Sequence, residues 1–145
     1  MQALPHLYKV QSASKPNHLL TASSKGIPDL TVAGPAEFGG PGDQWSPESL
    51  LLSAVSNCLI LSFKAVATIA DFSWINIECE TLGKLDKVDR VMSFTEITSQ
   101  MKLVISDLEA KEKALKLLKK AESICIVSNT LNAKLAFECE VVIQA

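Results

Sequence analysis

The segment Ser46 to Ala70, SPESLLLSAVSNCLILSFKAVATIA, constrains the fold more than any other part of the chain. Ser46 suits an N-cap, Pro47 the first helical position, and Glu48 the positive end of the helix dipole. From Leu50 to Ile69 apolar side chains fall on every face, the pattern of a helix with protein all around it. Lys64, Ser62, Asn57, Ser56 and Ser53 interrupt the run, so no unbroken stretch approaches the roughly 20 residues of a membrane span. The segment therefore reads as a buried core helix. A chain of 145 residues can barely encircle such a helix, and burial shared with a second copy is the natural remedy.

Around that helix the pattern is mostly of strands. Residues 6 to 13 and 17 to 24 read as an N-terminal hairpin, and PDLTVAG as a short extended piece before the Gly/Pro-rich loop PAEFGGPGDQW. In WINIECETL, Ile75, Ile77 and Cys79 alternate with Asn76, Glu78 and Glu80, which marks a half-buried strand. The charged KLDKVDR reads as the turn after it. Residues 91 to 105 follow as a strand whose apolar set moves from even positions (Met92, Phe94) to odd ones (Ile97, Met101, Leu103, Ile105). A bulge is expected near Thr95 or Glu96. Ser106 with Glu109 forms a capping box for a second helix to about Ser123. Its inward residues are Ala114, Leu117, Leu118 and Ala121, with Glu109/Lys113 and Glu112/Lys116 as exposed pairs. KLAFECEVVIQ puts Leu135, Phe137, Cys139, Val141 and Ile143 on one face of a last strand. With no repeat or linker, the order predicts a single α+β domain over residues 1–145.

Charge and cysteine usage narrow the function classes. A formal net charge of -2, with Arg90 the single arginine, leaves no basic footprint for nucleic acid or an anionic membrane. The N-terminus MQALPHLYKV has no charged head followed by an apolar run, so a cytoplasmic protein with reduced thiols is expected. None of the four cysteines forms a CxxC pair, and neither His6 nor His18 has ligand spacing to any of them, which disfavours zinc. Cys79 and Cys139 sit in matching ECE triplets on inward strand faces, where cysteine acts as a small hydrophobe and neighbouring carboxylates disfavour a thiolate. Cys125 ends the second helix in ESICIVSNTLN, where Ser128 or Asn129 can cap a short following helix. Cys58 lies within the core helix beside Ser56, Asn57 and Ser62, where a buried thiol by itself reads as packing.

Taken together, FGGPGDQWSPESLLLSAVSNCL and the later CIVSNTLNAKL resemble the OsmC/Ohr family of thiol-dependent organic hydroperoxide reductases. In that family a Gly-rich loop leads to a Pro-Glu helix start, a first cysteine follows the glutamate by ten residues, and a second opens a Cys-x-x-Ser-Asn motif. Pro47-Glu48, Cys58 and Cys125-Ile126-Val127-Ser128-Asn129 stand at those positions. The resemblance implies an OsmC-like intertwined homodimer, a long central helix and a second helix packed on antiparallel sheets, with active sites at the subunit interface. It further implies that Cys58 is the peroxidatic nucleophile, Cys125 the resolving thiol and Glu48 a site residue. A disulfide between the two cysteines would be regenerated by an external dithiol, which in the family can be a lipoyl group. No metal, flavin or other cofactor is implied.

Two physical demands accompany the resemblance. Cys58 lies about three turns into its helix, beyond the positive dipole end, and burial raises a thiol pKa, so a cation is expected to offset it. The family supplies an N-terminal arginine held by the glutamate; here Lys15, His18 and Lys25 are the candidates, with Arg90 arriving from elsewhere in the dimer. Ten helical residues also rise about 15 Å, so Glu48 and Cys58 of one straight helix cannot touch, and a composite site across the dimer is expected. Phe38, Trp45, Leu61 and Phe63 are candidate walls of an apolar pocket favouring organic peroxides. Two other readings stay open at this level: a redox-inactive or peroxide-sensing dimer that binds an apolar small molecule at its interface, and a scaffold whose thiols only pack.

Overall fold

Short strand-forming runs broken by Gly, Pro and Asn shape the N-terminal part of the chain. In the computed structural model, which describes Met1 to Ala145, the backbone divides into two compact units, Met1–Leu50 and Leu51–Ala145. The first unit is an antiparallel meander of β1 (Gln11–Ala13), β2 (Leu20–Ser23) and β3 (Leu30–Val32). The expected hairpin is present but shorter, because residues 6 to 10 pair with no strand. Asn17 turns it with a left-handed φ of 63°. The loop after β3 contains one 3-10 turn, Ala36–Phe38, and returns so that the Ala33 N–H donates to the Trp45 carbonyl at 2.9 Å.

Helix α1 (Pro47–Ile69) starts where the sequence indicates. The Ser49 N–H donates to Ser46 Oγ at 3.1 Å and the Ser46 N–H to Ser49 Oγ at 2.9 Å, a reciprocal cap that satisfies two donors at the helix entry. Ser53 and Ser56 are satisfied along the helix itself: Ser56 Oγ donates to the Ser53 carbonyl at 3.1 Å, and Asn57 Nδ2 to Ser53 Oγ at 3.3 Å.

The second unit is built on a sheet of β4 (Asn76–Val88), β5 (Val91–Ile105) and β6 (Lys134–Ile143), with β5 in the centre. β4 and β5 are antiparallel, whereas β6 runs parallel to β5 after a crossover through α2 (Lys111–Ile124) and α3 (Ile126–Thr130). The bulge falls at Thr95: Lys84 pairs with Glu96 and Leu85 with Phe94, leaving Thr95 without a partner. The KLDKVDR segment corrects the expected turn. Its first five residues continue β4, and only Asp89 and Arg90 turn, with φ of 50° and 69°, the two-residue geometry that matches strand twist. Gly83 is required by packing, since a Cβ there would meet the Phe94 ring at 2.7 Å and Leu52 Cδ2 at 2.8 Å.

The capping box at Ser106 is also corrected. Asp107 Oδ1 accepts from the Glu109 N–H at 2.9 Å, and a 3-10 turn, Leu108–Ala110, precedes α2. Asp wins because its carboxylate reaches a free N–H two residues on, which draws the entry into the tighter turn. Glu112 and Lys116 pair at 2.9 Å as expected, but Lys113 turns from Glu109 to the free Ala70 carbonyl at 3.1 Å and lies 5.7 Å from the Phe72 ring centroid.

One core organises this unit. Val55, Leu59, Phe63, Val66 and Ala67 of α1, Ile97, Met101, Leu103 and Ile105 of β5, Val141 of β6, and Ala114, Leu118 and Ala121 of α2 form a single buried cluster. The α1 members recur every three or four residues, so one face of that helix is sealed. The all-round burial expected of α1 is not reached within one chain: Leu61 is 63% exposed and Ile69 86%. By length and composition α1 would also span a membrane, yet its Val55–Ala67 stripe is committed to this core.

Candidate functional site

The site forms where α1 meets the corner between α2 and α3. Cys125 sits at that corner with φ -65° and ψ 104°, ending α2 and preceding the first residue of α3. An extended residue between two helices bends the chain sharply, and its backbone is held at both sides. The Cys125 N–H donates to the Glu122 carbonyl at 3.2 Å, and the Asn129 N–H donates to the Cys125 carbonyl at 3.0 Å. Asn129 Nδ2 also donates to the Ser123 carbonyl at 3.2 Å. Ser128 and Asn129 therefore lie inside α3 rather than capping it, which corrects the sequence expectation.

The corner presents its first-turn backbone to Cys58. Cys125, Ser62 and the Ile126–Val127 backbone are the groups close enough to act on the Cys58 sulfur. All four cysteines are free thiols. Burial pushes the Cys58 thiol up, but the Val127 N–H, the Cys125 thiol, the Ser62 hydroxyl and the Ile126 N–H together outweigh it, leaving Cys58 below the ordinary thiol value. For Cys125 burial dominates. Despite donation from the Ser128 hydroxyl and N–H, that burial and the neighbouring Cys58 raise its pKa. The pair is thus polarised, with the thiolate favoured on Cys58 and the proton on Cys125.

Within one chain the offset to burial at Cys58 comes from neutral groups. Every group that lowers Cys58 is a neutral donor, and neither Lys15, His18, Lys25 nor Arg90 is among them. Lys15 and His18 line one surface cavity of the first unit and Lys25 another, while Arg90 occupies the β4–β5 turn. Donors aimed at a sulfur act as a cation would on its anion, without its desolvation cost. Glu48 retains a distinctive state, for its Oε2 is shielded from solvent and has no hydrogen-bond donor.

The four apolar pocket candidates divide between the two units, Phe38 and Trp45 in the first and Leu61 and Phe63 in the second. Phe63 is fully buried in the core, its ring edge-to-face with Trp74 at 5.7 Å, so it packs and does not line an open pocket. Leu61 faces outward on α1, and Phe38 and Trp45 are exposed in the first unit at 55% and 48%. The reason is helical phase: Leu61 and Phe63 are separated by two residues and so point to different sides of α1. Two site groups escaped the sequence reading. Ser62 lies one helical turn beyond Cys58, a spacing that was legible, whereas the Ile126 and Val127 N–H groups carry no side-chain signature.

Cys79 and Cys139 behave otherwise. They face each other across Met101 in register on the three strands, and burial raises both thiols. No group of three or more His, Cys, Asp and Glu side chains is arranged to hold a metal ion.

Comparison with known proteins agrees with this architecture. The profile of the OsmC-like protein family matches residues 40–140. The uncharacterized protein YmaD of Bacillus subtilis is 26% identical over 113 residues, covering 76% of this chain and 75% of YmaD. Among solved structures, an OsmC-like protein of unknown function from Vibrio cholerae superimposes with a TM-score of 0.85 at 14% identity, covering 94% of this chain and 100% of the other. An organic hydroperoxide resistance protein OsmC from Legionella pneumophila gives 0.71 at 21% identity, covering 98% and 100%. The organic hydroperoxide resistance protein OhrB of Bacillus subtilis gives 0.64 at 21% identity, covering 94% and 98%. With the family profile spanning both cysteine segments and the α+β architecture shared with these structures, the chain belongs to the OsmC-like family.

Proposed function

We propose that this protein reduces organic hydroperoxides through Cys58, with Cys125 as the resolving thiol. The observation that carries the reading is that the two thiols neighbour each other and are shifted in opposite directions, Cys58 down and Cys125 up. The Cys58 thiolate attacks the distal peroxide oxygen; the O–O bond breaks, the alcohol leaves with a proton, and Cys58 becomes a sulfenic acid. Cys125 then attacks the Cys58 sulfur, the S–O bond breaks, water departs with the Cys125 proton, and a Cys58–Cys125 disulfide forms. An external dithiol, such as a lipoyl group, returns both thiols and leaves as its own disulfide. Cys125 is fully buried and Cys58 is not, so the reductant enters at Cys58.

The working unit is a homodimer. Leu61 and Ile69 of α1, together with Leu85, Val88, Val91 and Met92 on the β4–β5 arm, are apolar side chains open to solvent. A soluble monomer seldom leaves so many uncovered. The unpartnered Glu48 carboxylate oxygen calls for a donor from the second copy, for which Lys15, His18, Lys25 and Arg90 remain the candidates. Sedimentation of the purified protein as a monomer would remove this part of the proposal.

The test of the activity is steady-state consumption of cumene or tert-butyl hydroperoxide with dihydrolipoamide or dithiothreitol, on the wild type and Cys58→Ser. Rapid turnover lost in the variant supports the reading. Stoichiometric Cys58 oxidation without turnover indicates a peroxide sensor instead, and equal slow loss of peroxide in both proteins leaves the cysteines as packing residues.

A further inference from the structure

Ser128 is nearly as buried as the thiol it touches. The residue is 8% exposed, Cys125 is 0% exposed, and the Ser128 hydroxyl donates to Cys125 Sγ at 3.0 Å. A buried serine three residues along a helix ordinarily returns its hydroxyl to a backbone carbonyl, as Thr130 does here with the Ile126 carbonyl at 2.8 Å. Ser128 spends its one proton on sulfur instead. The corner around it is fixed by Asn129, so the hydroxyl and sulfur are held in place before any reaction.

We infer that Ser128 is a positioning residue for the resolving step: its hydroxyl stabilises negative charge on Cys125 as that sulfur gives up its proton and attacks Cys58. The inference rests on the reading of Cys125 as the resolving thiol. Of the two thiols Cys58 ionises first, which suits attack on peroxide but leaves Cys125 the poorer nucleophile. Once Cys58 is oxidised, its charge is gone and the polarity must reverse. The proton of Cys125 leaves with the departing group on Cys58, and the Ser128 O–H remains aimed at the sulfur where charge develops. Burial opposes that charge, and no cation is among the groups that act on Cys125, so the hydroxyl has no charged substitute. A serine that acts this way influences the second step more than the first.

Ellman's reagent separates the two steps without peroxide. Attack by Cys58 releases one thionitrobenzoate and leaves a mixed disulfide; attack by Cys125 then closes the Cys58–Cys125 disulfide and releases a second. Loss of the second release in Cys125→Ser identifies that phase. For Ser128→Ala we expect the ratio of second to first rate constants to fall about tenfold or more, the scale of losing a hydrogen bond to a charged group. The second phase should recover as pH rises and Cys125 ionises unaided, and Ser128→Thr, which restores the hydroxyl, should recover it at neutral pH. A second phase equal to that of the wild type overturns the inference. So does parallel slowing of both phases, the signature of a merely structural residue. If the wild type passes both phases but does not consume cumene hydroperoxide, the peroxidase reading fails while the role of Ser128 stands.

Discussion

The chain carries two pairs of thiols with opposite surroundings. Cys79 and Cys139 flank Met101 on adjacent strands of one sheet, whereas Cys58 and Cys125 meet where a helix faces a corner between two helices. Each strand cysteine has one group to balance its burial, the Thr81 hydroxyl at Cys79 and the Lys119 charge at Cys139, and burial outweighs it, so both strand thiols are raised. At a helix start the first N–H groups lack intrahelical partners, and here Ile126 and Val127 direct theirs at Cys58. The difference between a packing thiol and a reactive one is thus a difference in unspent donors more than in depth.

Experiments that break or sharpen this contrast can be ranked by expected effect. Cys58→Ser should bring dithiol-dependent peroxide consumption down to the background rate, since the remaining thiols lack the donor set; turnover surviving in this variant would dissolve the distinction between the pairs. Cys125→Ser should retain the first oxidation but stop at the sulfenic acid, detected by dimedone labelling of Cys58 and by sensitivity to overoxidation under excess peroxide. The same labelling pattern in Cys139→Ser would move the resolving role to the sheet.

Next in size is the order of ionisation. Iodoacetamide reacts with thiolates, so the rate at each cysteine rises with pH and levels off above its pKa. Cys58, lowered, should level off at a lower pH than Cys79 and Cys139, which are raised, and should be the first modified near neutrality when sites are followed by mass spectrometry. Modification of Cys79 before Cys58 would count against the donor argument. The smallest effect belongs to Cys79→Ala and Cys139→Ala. Each should cost about 1 kcal/mol in urea unfolding, through lost packing, and leave turnover within about twofold of the wild type.

Much of this was legible along the chain because it depends on neighbours in sequence. The α1 start at Ser46 and Pro47, the apolar alternation of β4 and β6 and the bulge at Thr95 all follow from periodicities of two or 3.6 residues. The misread places are those where two local signals competed. The charged KLDKVDR looked like a turn because its composition outweighed its alternation, and Asp107 displaced Ser106 as a cap because both side chains were in reach. Leu61 and Phe63 diverge for another reason. Phe63 and Leu61 are close in sequence, yet helical phase sends one into the core and the other outward.

By itself, the sequence determined the element order, the greasy central helix and the two cysteine segments that mark the family. Those are properties of residue type and spacing, and they survive any arrangement of the elements in space. Tertiary structure alone decided that the Ile126 and Val127 backbone at the α2–α3 corner stands beside Cys58. Backbone donors are the same in every residue but proline, so no reading of side chains locates them. Only the fold of the α2–α3 corner determines which sulfur they face.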